Sequence, residues 1–264
     1  MSNTIQTEEV RVPIRETFTL PSNGVPYNGA VKPDITLRAM TTMDEKIRLS
    51  GSGLNSLTSL IDACIVEPQG FTTKDLKLFD LQYLMYMLRV ITYGSDYKVK
   101  VYCEHCDKAV ETVVNLDELE VIKIDDNYTE PFEIGPLPVS GDTISCKTLS
   151  VGDLITIDRE AQRILSKFKD YVGDPEFVLG YKYIITAING EQYPDFKKQK
   201  YIEEMNAKDL RYLDVMYEKL TSNFGINTNV VSECPICGAP IEFSMPITDE
   251  FFRPSFDIQW WNNF

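Results

Sequence analysis

The sequence of 264 residues contains one histidine, His105, and two tryptophans. With one histidine, lying between two cysteines, a Ser–His–Asp or Cys–His catalytic arrangement is not expected. A glycine-rich phosphate-binding loop and a His-Glu-x-x-His motif are also absent. We therefore expect a protein that is not an enzyme. A hydrolase that uses two carboxylates stays open, since the 40 acidic residues make any single pair uninformative.

Long hydrophobic runs are missing as well. The longest, such as residues 83–87, are short and interrupted, so no membrane-spanning helix is expected. The first nine residues have neither the basic nor the apolar part of a signal peptide. Two Cys-x-x-Cys motifs without such a signal favour synthesis in a reducing compartment, the cytoplasm of a host cell.

Basic residues are in the minority. The chain has 26 lysines and arginines against 40 acidic residues, a formal net charge of −14. This balance disfavours binding to nucleic acid, whose phosphates require a basic surface. The acidic excess is typical of a soluble protein, and docking onto a basic partner is a further possibility.

Two cysteine doublets are the main feature that is present. Cys103 and Cys106 form the first, and Cys234 and Cys237 form the second. Alternating or β-branched segments flank both doublets, which predicts that each doublet lies at the tip of a β-hairpin. The four flanking segments are residues 97–102, 109–114, 228–231 and 241–245.

This arrangement predicts one structural zinc ion held by the four cysteines. Zn²⁺ takes four tetrahedral ligands, and a four-cysteine site leaves no open position for catalysis. Pro235 and Gly238 suit the second turn, since proline presets φ and glycine accepts a positive φ. We expect the side chain of His105 to point away from the metal. Cys64 and Cys146 are expected to be ordinary buried thiols.

Three alternatives apply to the doublets: a thiol redox motif, a pair of disulfides and a coincidental pattern. A redox Cys-x-x-Cys usually begins a helix that follows a strand, and adjacent cysteines seldom close on each other. Cys106 and Cys234 are 128 positions apart, far more than the spacing of about 15–20 residues in a standard zinc ribbon. The zinc site is therefore expected to hold an insertion between its halves.

The resulting prediction is an α+β fold, in which helices interrupt a discontinuous four-cysteine zinc ribbon. The first part, residues 1–40, is expected to be an extended N-terminal arm with strand-like segments at 10–12, 17–20 and 35–38. It either binds a partner or packs as a strand pair on the body of the chain.

Residues 41–96 are predicted to be helical. Thr42 and Glu45 form a capping-box pattern that begins the first helix. A second helix is expected at residues 55–66, and Thr73 is expected to cap a third at residues 74–93.

The rest of the chain is predicted to have three parts. Residues 97–149 hold the first zinc knuckle and short strands. Residues 150–224 form a helical insertion with helices at 153–168, 176–187, 196–205 and 207–223. Residues 225–264 hold the second knuckle and an aromatic tail with Trp260 and Trp261. Such a tail either anchors a partner or packs on its own ribbon.

Two sequence segments resemble a known family. Residues 17–27, Thr-Phe-Thr-Leu-Pro-Ser-Asn-Gly-Val-Pro-Tyr, precede a strand that leads into residues 40–46, Met-Thr-Thr-Met-Asp-Glu-Lys. Together they resemble the baseplate hub proteins of contractile-tailed, T-even-type bacteriophages, which have a similar turn followed by a similar helix start. The order of parts is also similar, and the resemblance covers residues 17–115 and a segment around 230–256.

The resemblance implies a structural or assembly component of the baseplate hub in the tail of the virion. Its partners would be other baseplate or tail proteins, with several copies in a large complex. A zinc site would then stiffen a module that docks onto neighbouring proteins. A zinc-ribbon protein associated with nucleic acid is the alternative function, and a thiol redox protein is a third.

Overall fold

A computed structural model describes residues 13–51, 53–222, 224–245 and 249–252. It combines helices with small antiparallel sheets, which confirms the mixed α/β prediction. Every strand pairing between the named strands of the described ranges is antiparallel. In the same ranges, no helix combines the length and the hydropathy needed to cross a membrane.

The first sheet contains the N-terminal strands. Strand β1 (Arg15–Thr19) pairs with β2 (Asp34–Arg38), which pairs with β3 (Ile65–Glu67). Phe18 and Ile35 are register partners, and both side chains are buried in the main core. The strands expected at 17–20 and 35–38 are thus confirmed. The described strands match the alternative of a strand pair packed on the body of the chain. A partner-binding arm at residues 1–40 stays a prediction, and residues 10–12 lie outside the described ranges.

The capping box of helix α1 (Thr42–Leu49) lies one residue earlier in the chain than predicted. Thr41 is the N-cap, and its backbone N–H donates to the Asp44 carboxylate at 2.7 Å. The pair is therefore Thr41 with Asp44, not Thr42 with Glu45. Thr41 has extended backbone angles, as an N-cap residue should.

Helices α2 (Gly53–Cys64) and α3 (Leu78–Tyr93) are present, but their ends differ from the predictions. Helix α2 stops at Cys64 because the next residues pair with β2 as strand β3. A short 3-10 helix, Thr73–Asp75, precedes α3, and the Thr72 side chain caps it. Leu76 and Lys77 have extended backbone angles, so the helix expected from residue 74 begins only at Leu78.

Helix α3 is the centre of the main core. Its nearly all-round apolar character predicts burial on several sides, and this burial is observed. The two-residue strands β6 (Val121–Ile122) and β10 (Gly225–Ile226) pair with each other, and β10 packs beside α3. Phe251 is fully buried against Tyr86 and Tyr97, with ring centroids 5.0 and 5.3 Å away. The predicted aromatic tail thus contributes Phe251 to the core, while Trp260 and Trp261 lie outside the described residues.

A second core is formed by the part of the chain that lies between the two cysteine doublets in the sequence. Strands β7 (Phe132–Ile134), β8 (Ile144–Cys146) and β9 (Ile185–Ile188) make a three-stranded sheet in that order. Helices pack around it, with Ile202 and Leu213 buried beside the strands. Helices α5 (Pro175–Ile184), α6 (Asp195–Glu204) and α7 (Ala207–Thr221) contribute to this core. Helix α4 (Val151–Lys167) packs on α5 in a separate cluster with Ile157 and Ala161, and its first turn and a half reaches the main core through Val151 and Ile155.

The helix predicted at residues 176–187 is present, but its predicted end is wrong. Helix α5 stops at Ile184, and the next four residues, Ile-Thr-Ala-Ile, form strand β9. Ile188 is the register partner of Ile144, so pairing with a distant strand overrides the helical spacing. Strands from before residue 150 and helices from after it therefore share one core. The division of the chain at residue 150 stays a prediction.

Candidate metal centre

The first cysteine doublet lies at the tip of a hairpin, as predicted. Strands β4 (Asp96–Cys103) and β5 (Lys108–Asn115) pair along their whole length, and Cys103 is the register partner of Lys108. The residue after the doublet, Asp107, has φ of 57°. Aspartate is one of the few residues that adopt this left-handed conformation readily.

The second doublet has the same local structure. Strands β11 (Asn229–Glu233) and β12 (Pro240–Ser244) form the hairpin, and the Gly238 N–H donates to the Cys234 carbonyl at 2.9 Å. Gly238 follows the doublet with φ of 72°, which matches Asp107 in the first turn. Sequence reasoning identified the role of Gly238 but missed that of Asp107. The signal was available, because both residues directly follow the second cysteine of a doublet.

The two hairpins pack against each other away from their tips. The hydroxyl groups of Thr112 in β5 and Ser232 in β11 are 2.9 Å apart. Beneath the tips, Val110 and Ile241 are buried together with Cys103 and Cys234. This shared core is small, so the hairpins bury little apolar surface between them near the cysteines.

The four doublet cysteines converge on one point. Sulfur atoms of Cys103 and Cys237 lie 3.8 Å apart, as do those of Cys106 and Cys234. All four sulfurs lie within 4.8 Å of one another. A tetrahedron with metal–sulfur bonds of about 2.3 Å has edges of about 3.8 Å. A disulfide would need about 2.05 Å between sulfurs, so these distances suit four thiolates around a metal better.

The thiols differ in their acidity. Burial raises the pKa of Cys234, but N–H groups of Cys237 and Ile236 point at its sulfur and lower the pKa to about 6. Burial and the neighbouring thiols raise the pKa of Cys106 to about 12. These N–H groups favour the thiolate form of Cys234. A thiolate is the form in which cysteine binds metal ions.

The other candidate residues lie elsewhere. His105 is exposed and is not part of the cysteine cluster. Cys64 and Cys146 are fully buried, and burial raises the pKa of each to about 12. The prediction that these two are buried thiols is confirmed.

Comparison with protein-family models gives a match. The family model described as "T4 bacteriophage base plate protein" matches residues 14–253. This range includes both hairpins, all four converging cysteines and the second core between them. Comparisons with curated proteins and with solved structures found no match.

Proposed function

The chain belongs to the T4 bacteriophage base plate protein family, and we propose that it is a structural or assembly component of the baseplate hub. The family match supports a place in the phage tail baseplate. The resemblance of residues 17–27 and 40–46 to hub proteins supports the more specific position. We also propose that the protein acts without catalysis, by contacts with other baseplate or tail proteins in several copies.

The segments that support the hub assignment have structural roles in this fold. The Tyr27 hydroxyl donates to the buried Asp80 carboxylate at 2.5 Å, and the Ser22 N–H donates to the same group at 3.1 Å. Thr41 caps α1 through Asp44. The first two contacts attach the N-terminal turn to α3 in the main core, and the capping contact fixes where α1 begins. The similarity therefore concerns the framework of the protein, which supports a shared fold.

We propose that Cys103, Cys106, Cys234 and Cys237 bind one structural Zn²⁺ ion. The observation that supports this proposal is the convergence of four sulfurs to within 4.8 Å from two hairpins far apart in sequence. When bound, the metal supplies a four-way cross-link between the hairpins. Their small shared core would hardly hold them together without it. The stiffened pair of hairpins would then dock onto neighbouring proteins.

Metal analysis of the purified chain tests the zinc site. Elemental mass spectrometry should find one zinc per chain, and thiol titration should find four protected cysteines that become reactive after chelation. Iron in place of zinc would change the metal but keep the site, since tetrahedral sulfur ligands suit both. Metal-free protein with reactive thiols would contradict the proposal and favour the redox alternative.

Phage assembly tests the baseplate role. We propose that the chain is made in the host cytoplasm and acts in the virion tail. Phage that cannot make it should accumulate tail parts without complete baseplates, and supplying the chain should restore assembly. Complete infectious particles in its absence would contradict the proposal. The alternative of a nucleic-acid-associated protein is not favoured, because the family match concerns baseplates and the net charge is −14.

A further inference from the structure

The two cysteine hairpins consist of two strands each. In the described part of the chain, no third strand pairs with β4 and β5 or with β11 and β12. Strand β5 therefore has one edge whose backbone N–H and carbonyl groups lack a strand partner, and so does β11. Free edges of this kind pair readily with a further extended segment.

A groove of about 370 Å³ lies between these two edges, and we call it the β5–β11 groove. Residues 113–115 of β5 and 229–232 of β11 line it, whereas no residue of β4 or β12 does. Val113 and Val231 are 54% and 68% exposed, so apolar surface is accessible on both sides. A strand rises about 3.3 Å per residue, so the lining part of β11 can pair with a segment of about four residues.

Two carboxylates are held in the wall of the β5–β11 groove. The Asn115 side-chain amide donates to Glu118 at 3.0 Å, and the Asn227 side-chain amide donates to Glu120 at 3.1 Å. Both glutamates are exposed, and neither forms an ion pair with another described residue. Lysine, arginine and histidine are absent from the described residues that line the groove. The asparagines therefore fix two negative charges for which these residues supply no positive one.

The surroundings of the groove have the same charge. We call residues 96–126 and 225–245 the hairpin unit. It contains eleven acidic residues and four lysines, so it carries half of the formal net charge of −14. All eleven acidic side chains are exposed, and none forms an ion pair within the described ranges. A segment that complements this surface is basic, whereas the hairpin unit of a second copy would be repelled.

We propose that an extended basic segment of a neighbouring protein docks in the β5–β11 groove as a strand beside β11. Its lysines or arginines face Glu118 and Glu120, and the apolar residues that alternate with them pack beside Val113 and Val231. Backbone pairing supplies the affinity, and the carboxylates select a basic segment. The inference rests on the proposed function, because the segment would belong to another baseplate or tail protein.

Peptide binding by the full chain tests the docking. The probes are labelled seven-residue peptides in which lysine or arginine alternates with valine, isoleucine or tyrosine, and fluorescence anisotropy measures their dissociation constants. They should bind about tenfold more tightly than peptides with glutamate at the basic positions. Proline at the third and fourth positions should weaken binding about tenfold relative to alanine there, because one of two neighbouring N–H groups faces β11.

Charge reversal in the groove tests its location. E118K/E120K should raise the dissociation constant of the basic peptides by about tenfold or more, because like charges then face each other. The matched control is E203K/E204K, which makes the same change on two exposed residues of α6 in the second core. It should leave the affinity unchanged.

Three results would overturn the inference. The first is a set of basic peptides that bind no more tightly than the acidic ones, or that E118K/E120K binds as well as the native chain does. The second is equal affinity for the proline and alanine peptides, since strand pairing then plays no part. The third is a native chain whose copies associate and are separated by E118K/E120K, which would assign the groove to a second copy.

Zinc content and circular dichroism of every sample separate this test from the proposed function. A folded, zinc-loaded chain that does not select basic peptides contradicts the docking segment alone. A metal-free chain contradicts the zinc site, and phage assembly without the chain contradicts the baseplate role.

Discussion

Lys77 and Glu130, 53 residues apart in sequence, form a buried ion pair with 2.9 Å between Nζ and Oε2. The Lys77 ammonium also donates to the Thr148 carbonyl at 2.8 Å, and Glu130 accepts from the Thr148 N–H at 3.0 Å. Lys77 precedes α3 of the main core, whereas Glu130 and Thr148 flank β7 and β8 of the second core. This one network therefore joins the two cores.

The ion pair predicts a loss of stability in acid. Burial raises the pKa of Glu130, but hydrogen bonds from Thr148 and Lys77 outweigh it and hold the pKa below its usual value. A carboxylate with a lowered pKa in the folded state stabilises the fold at pH values above its usual pKa. This contribution is lost as the pH falls through the lowered pKa. Urea unfolding at a series of pH values should show this decrease in the native chain, and the E130Q variant should lack this part of it.

At neutral pH, E130Q should reduce the free energy of unfolding by about 3–5 kcal/mol, because Lys77 is left buried without its partner. The control is E191Q, which removes the exposed and long Lys197–Glu191 contact of 3.9 Å. We expect a change within about 0.5 kcal/mol for E191Q. Equal effects of the two substitutions would contradict a special role for the buried pair.

Substitution of the cysteines should separate the four proposed metal ligands from the buried thiols. Serine at Cys103, Cys106, Cys234 or Cys237 should each lower the zinc content and the melting temperature, because three ligands no longer close the site. Cys64→Ala is the control, since Cys64 lies in the main core. It should keep one zinc per chain. Full metal content in all four serine variants would show that the ligand assignment is wrong.

Gly225 should tolerate no side chain. Its φ is 90°, and a Cβ atom there would lie 3.0 Å from Phe79 Cβ and 3.2 Å from the Phe79 carbonyl oxygen. Gly225→Ala should cost more than about 2 kcal/mol of unfolding free energy, from backbone strain and overpacking against α3. Gly190 has φ of 77° but open space around it, so Gly190→Ala should cost about 1 kcal/mol. Chemical denaturation of both variants measures the difference, and equal costs would contradict the close contact with Phe79.

Phe251 should stabilise the main core although it lies near the end of the described chain. Phe251→Ala removes a fully buried ring between Tyr86 and Tyr97 and should cost about 3–5 kcal/mol. Phe196 is 77% exposed, so Phe196→Ala should change stability by about 0.5 kcal/mol or less. Thermal and urea unfolding of the two variants provide the check. A small effect at Phe251 would mean that the core is complete without it.

Local sequence signals predicted the elements whose structure depends on near neighbours. Both hairpins could be predicted from the alternating segments on either side of a Cys-x-x-Cys turn. The strand pairing of each hairpin ends next to this turn, at Cys103 in the first and just before Cys234 in the second. The central helix follows from its apolar side chains. The predictions were wrong where a strand distant in sequence determines the local structure. At β9, for example, pairing with Ile144 replaces the predicted helical turn.

The two doublets and their turns could be predicted from the amino-acid sequence alone, because each depends on residues that are adjacent in the chain. The sequence could only suggest that the doublets meet. Only the tertiary structure shows that they do. The residues between the doublets fold into the second core, and the chain then comes back to the first hairpin, so that the sulfur of Cys237 lies 3.8 Å from that of Cys103. The tertiary structure also decided which aromatic side chains are buried, such as Phe251, because burial depends on which surfaces the rest of the chain covers.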